Sequence, residues 1–286
     1  MGKTTKIDWC DSTWNPVTGC LHGCKYCYAR RIAERFEPYE IYDPEMALQR
    51  HAIANKQLIG LGAPYVLDFP WQQRNKNGTI QNAPYPFGFV PTFHRYKLDE
   101  PQKWKKPRTI FVCSMADLFG DWVPDEWIDD VIKSTQRALR HRYLFLTKNP
   151  ERYGDWLERF EEGHIPDLDE IENCWFGASA SNNAEFERAN RSMAQWISIE
   201  PIRERIKTDE DQFMQFNPYT LGERKRWAWV VIGAETGNSK NKVAPKREWI
   251  DDIATACADY GTPVFMKESL RELMGDDFKQ EFPWEV

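Results

Sequence analysis

The sequence has no stretch of about 18 apolar residues, which excludes an apolar membrane-spanning helix. Its opening stretch, "MGKTTKIDWCDST", lacks the apolar core of a signal peptide, so a soluble, cytoplasmic protein with no membrane partner is expected. No internal repeat is present, which removes solenoids and propellers. Basic charge is in deficit: 38 Lys and Arg stand against 44 Asp and Glu, a formal net charge of -6. A polyanion would therefore find attraction only at a local patch, such as "HRYKLDEPQKWKKPR" (94–108) or "ERKRW" (223–227), and the ordinary reading of each is a solvated loop or strand flank. Cysteine is sparse as well, at seven residues in 286. In a reducing compartment a cluster of cysteines signals metal or chemistry rather than a disulfide.

Against these absences stand 13 Trp, 11 Tyr and 16 Phe, enough for a substantial core and for binding surfaces. Short runs rich in β-branched and aromatic residues alternate with helix-like segments, the pattern of βα units with parallel strands. Strands are predicted at 109–114, 142–148, 173–179, 194–200, 227–233 and 262–268, with one more inside "DSTWNPVT". Helices are predicted at 25–36, 125–140, 150–160, 183–193 and 246–259, several opening on Pro, Asp or Asn. Six or seven such strands build a full or partial α/β barrel or an open doubly wound sheet within one domain spanning 1–286. Residues 38–107, rich in proline and weakly periodic except at 44–62, are expected to form an inserted subdomain or lid.

Polar residues collect where the strands end: Ser114 and Asp117, Lys148, Ser179 and Asn182, Glu200, Gly233 with Glu235, and Lys267. In parallel α/β architectures that edge carries the site, although each residue alone reads equally well as a cap or turn former.

The densest chemistry is in "NPVTGCLHGCKYCYARRIAERF", where Cys20, Cys24 and Cys27 fall within eight residues. Spacings of four and three suit one face of a buried helix, but Gly19 and Gly23 favour a loop that folds around something. Structural zinc takes four ligands as two separated pairs, and no second pair follows; His22 or Cys10 would have to complete the set. Three thiolates instead suit a [4Fe-4S] cube with one iron left open. The alternative is a zinc- or cluster-stabilised binding protein without catalysis.

"CLHGCKYC", with Tyr26 just before the last cysteine, resembles the cluster loop of radical S-adenosylmethionine (SAM) enzymes. "TWNPVTGC", "CYARRIAERF", "SMADLFGDWVP", "FLTKNPERY", "SIEPI", "WVVIGAETGN" and "PVFMKES" are together similar to a phage- and prophage-associated family of radical-SAM-like proteins, and the loop is also similar to that of spore photoproduct lyase relatives. The resemblance implies a partial barrel of six to seven parallel strands, a [4Fe-4S] cluster on Cys20, Cys24 and Cys27, SAM as cofactor, and a flavodoxin- or ferredoxin-like reductant. It implies SAM contacts from Tyr26, Ser114, Asp117, Ser179, Asn182, Glu200, Gly233 and Glu235. A nucleoside or nucleic-acid substrate would meet His94, Arg95, Lys148 and Lys267. Cys113, standing where glycine or asparagine is expected, is the candidate hydrogen donor if it faces the cavity; a free strand cysteine is ordinarily a small core residue.

Overall fold

The structure, a computed structural model, describes residues 5–36, 40–41, 65–159, 171–209, 213–217, 222–237 and 242–285. The periodic run at 44–62 lies outside them. The chain divides into two compact units: Ser12–Tyr143 with Asp169–Asn173, and Met1–Asp11 with Leu144–Leu168 and Cys174–Val286.

In the first unit, β1 (Ser12–Trp14) and β2 (Val17–Thr18) precede the cysteine loop, which leads into helix α1 (Tyr28–Arg35). The short strands β3 (Glu40–Ile41), β4 (Tyr65–Leu67), β5 (Gln72–Arg74), β6 (Ile80–Asn82) and β7 (Thr92–His94) follow. The chain then forms β8 (Thr109–Val112), buried at every position, and helix α2 (Asp125–Gln136). Acidic Asp125 and Glu126 occupy the first turn of α2, where the helix dipole favours them. β1 and β8 pair in parallel, with Ser12 opposite Ile110. The described residues of the expected insertion fall in the same unit as β1 and β8. β7 pairs antiparallel with β2, Val17 opposite Phe93, and so braces the entrance to the cysteine loop.

β9 (Arg142–Thr147) begins in the first unit and continues into the second. There follow α3 (Arg152–Arg159), β10 (Cys174–Ala180), α4 (Asn183–Arg191), β11 (Trp196–Ile199), the antiparallel pair β12 (Met214–Asn217) and β13 (Gly222–Lys225), β14 (Trp229–Ile232), α5 (Arg247–Asp259), β15 (Val264–Met266) and α6 (Arg271–Met274). β10, β11, β14 and β15 pair successively in parallel. Hydrogen-bonded neighbours follow the order β1-β8-β9-β10-β11-β14-β15. That order never reverses along the chain, which is the winding of a (β/α) barrel; a doubly wound sheet reverses at a switch point. The fold is therefore α/β with the seven parallel strands of a partial barrel, as expected.

The two faces of the second unit separate by strand alternation. Phe176 packs on Tyr153 and Trp156 of α3, so Gly177 and Ser179 line the opposite face. Register carries that face onward: Gly177 lies opposite Trp196 and Trp196 opposite Trp229, while Ser179 lies opposite Ser198. Trp9, Trp196 and Trp229 pack together with ring centroids 5.4 to 6.1 Å apart. A Cβ on Gly177 would come 2.2 Å from the Trp196 ring, so only glycine leaves room for this aromatic floor.

Candidate active site

The cysteine loop is shaped by its glycines, as expected. Gly19 has φ +87, and a Cβ there would come 2.3 Å from the Val90 carbonyl oxygen, so both conformation and space require glycine. Gly23, at φ +69, faces open space and is required for conformation alone. Cys27 is the N-cap of α1: its Sγ accepts from Arg30 N at 3.3 Å. Cys20 and Cys27 pack against Ala29, Ala33, Phe89 and Met115, and burial pushes the Cys20 thiol up to about 12, with Asp117, Cys24 and Cys27 adding to the rise. Tyr26 is half-buried between the last two cysteines in sequence. None of the three cysteines is in a disulfide.

The loop after β8 faces this segment within the same unit. Cys113 has a left-handed backbone, φ +55, which explains why glycine or asparagine is the natural residue there. Its thiol is 3% exposed and held protonated by burial, with a pKa near 12. Its backbone N–H donates to Trp14 O at 2.8 Å. Ser114 donates its hydroxyl to Asn15 Oδ1 at 3.1 Å, and its carbonyl accepts from Tyr28 OH at 2.6 Å. Asp117 is buried, with Oδ2 accepting from His22 Nε2 at 2.7 Å and Oδ1 from Phe119 N at 3.1 Å. Sequence reasoning missed Asn15 and Tyr28, and weighed His22 only as a fourth zinc ligand. The signal available for them was membership of the quoted motifs, since their partners lie about ninety or more residues away.

In the second unit the strand ends form a polar group above the aromatic floor. Lys267 Nζ donates to both oxygens of Glu200, at 2.7 and 2.8 Å, in a half-buried ion pair. Gly233 lies beneath it: a Cβ there would come 2.9 Å from Lys267 Cδ and 3.1 Å from Glu200 Cδ. Lys267 is thus the partner of Glu200 rather than a free cation at the rim. Ser198 Oγ and Glu235 Oε2 are buried with no hydrogen-bond partner among the described residues. Buried polar atoms without partners carry a desolvation penalty and point to a missing ligand group. Ser198 was not anticipated; its register partner Ser179 was, and that residue is half-buried. Asn182 is the N-cap of α4, its side chain accepting from Glu185 N at 2.9 Å, so its oxygen serves the helix.

The other expected ligand residues have partners within the protein. His94 is 0% exposed, with Nε2 2.8 Å from Thr18 Oγ1 and Nδ1 3.2 Å from Tyr96 OH, and burial lowers its pKa to about 3. No nitrogen of its ring remains for a substrate. Arg95 pairs with Asp68 at the surface, and Lys148 lies 3.8 Å from Glu185. The patch at 223–227 loses its strongest member, because Arg226 is buried and donates to the carbonyls of Ala189, Asn190, Ser192 and Ala194, capping the C-terminal end of α4. In the patch at 94–108, Arg108 donates to Ser12 Oγ, leaving Lys103, Lys105 and Lys106 exposed.

The donor set fits an iron-sulfur cluster: three free, partly accessible thiols on a loop of two left-handed glycines, one thiol at a helix N-terminus. Among the described residues no three His, Cys, Asp or Glu converge as a single-ion site. A cube takes each sulfur on a different iron, so its ligands need not converge on one point.

Residues 4–270 match the family described as protein of unknown function (DUF5131). No curated protein matches the sequence. Among solved structures, a mutant of spore photoproduct lyase aligns over 93% of this chain and 80% of that one, at 11% identity and a TM-score of 0.48.

Proposed function

We propose that this chain, which belongs to the protein family of unknown function DUF5131, is a radical SAM enzyme whose [4Fe-4S] cluster is held by Cys20, Cys24 and Cys27. The observation that carries the reading is the loop itself: three free thiols in eight residues, arranged by Gly19 and Gly23 and ending at the N-cap of α1. Bound there, the cluster supplies one-electron cleavage of SAM to methionine and a 5'-deoxyadenosyl radical. The chain's own part is to keep one iron free of protein ligand and to keep the loop shaped. A nucleoside or nucleic-acid base is the proposed substrate, and a flavodoxin- or ferredoxin-like protein the proposed electron source; both follow from the family resemblance.

Anaerobic purification tests the reading. Brown protein with about four irons per chain after reconstitution, releasing 5'-deoxyadenosine from SAM and a reductant, supports it. Cys24→Ala abolishes that release. Colourless protein holding one tight zinc refutes it.

A further inference from the structure

The segment "SMADLFGDW" (114–122) is tied to the cysteine loop at three points. The two belong together. Before Cys20, Gly19 N donates to Met115 O at 2.9 Å, and Gly19 forms a parallel bridge with Ala116. Between Cys20 and Cys24, His22 Nε2 donates to Asp117 Oδ2 at 2.7 Å. After Cys27, Tyr28 OH donates to Ser114 O at 2.6 Å. The three ties bracket all three cysteines.

The middle tie is built from both sides. Asp117 is 5% exposed and fixed by Phe119 N on its other oxygen. His22 meets the edge of Trp122 at 4.8 Å and 80°. Trp122 in turn rests on Gly120, where a Cβ would come 2.4 Å from the indole, so any side chain at 120 pushes the ring off His22. Asp117, Gly120 and Trp122 of the one segment therefore converge on a single residue of the cysteine loop.

We infer that His22 is a positioning residue: through Asp117 and Trp122 it latches the cysteine loop onto segment 114–122, so that the loop has its ligating shape before a cluster arrives. The inference rests on the proposed cluster site. The latch removes conformations that cluster assembly would otherwise have to suppress.

Limited trypsin digestion of the metal-free full chain, cutting after exposed Lys25, reads the latch without any activity. His22→Ala raises that cleavage about fivefold and speeds iron loss to a chelator from reconstituted protein by a similar factor. The midpoint of global unfolding stays near wild type, since the His22 side chain is only half-buried, 23% exposed. His22→Gln, which restores a donor to Asp117, returns both readouts toward wild type. Gly120→Ala, which touches neither His22 nor a cysteine, also raises Lys25 cleavage. Unchanged cleavage in His22→Ala, or a rise matched by global destabilisation, overturns the latch. Wild-type protein that binds no iron but still loses Lys25 protection in His22→Ala refutes the cluster reading while upholding the latch.

Discussion

His94→Gln is expected to flatten the acid side of the stability profile. The wild-type imidazole is fully buried between Thr18 and Tyr96, and burial, with Lys97 nearby, lowers its pKa from 6.5 to about 3. Below 6.5 the unfolded chain therefore binds a proton at this residue that the folded chain does not. Stability from this group is complete above 6.5 and is lost as the pH falls toward 3. At about pH 5 the loss is roughly 2 kcal/mol, and it hardly changes for any folded value below about 4, because the folded imidazole is then neutral in either case. Glutamine keeps an amide for Thr18 but has no titration. Urea unfolding of both proteins at several values between about pH 7.5 and pH 5 measures the difference directly, and carboxylates common to both cancel. A wild-type-minus-variant difference that does not vary with pH would refute the buried neutral imidazole.

Three further outcomes follow from steric and hydrogen-bond facts. Gly19→Ala sets a Cβ against the Val90 carbonyl, an immobile backbone group, and should cost about 3 kcal/mol, read as a lower urea midpoint together with reduced iron loading. Gly233→Ala meets Lys267 Cδ, a flexible side chain, and should cost only about 1 kcal/mol, read as a small fall in the urea midpoint. Arg226→Lys replaces a fork that reaches four carbonyls with a point donor, and a loss of about 3 kcal/mol is expected; an unchanged urea midpoint would show that the cap is dispensable.

The parallel strands were readable because strands covered on both faces are continuous apolar runs, and 109–114, 227–233 and their companions match that pattern. Their C-terminal ends were read one or two residues too long, except for β10, which runs one residue further than expected: β8 stops at Val112 because Cys113 turns left-handed. The strands β2 to β7 were not readable, being two or three residues each amid prolines. The cysteines were legible from spacing and the loop shape from its glycines. What escaped was pairing over long separations. His22 reads from the sequence only as a spare metal ligand, yet its partner lies 95 residues on. Glu200 and Lys267, 67 residues apart, each looked like a free strand-end group and are bonded to each other. Arg226 and His94 looked like surface chemistry because charge and titratability are visible in a sequence, whereas burial at a particular position is not.

The Trp9 stack also bears on the order of synthesis. Residues Met1–Asp11 belong with Cys174–Val286, not with the segment that directly follows them. On the ribosome, Ser12–Tyr143 can collapse while its first neighbour upstream still has nothing to fold against; Trp9 must wait until Trp196 and Trp229 have been made. An N-terminal truncation therefore damages the half of the protein that is translated last.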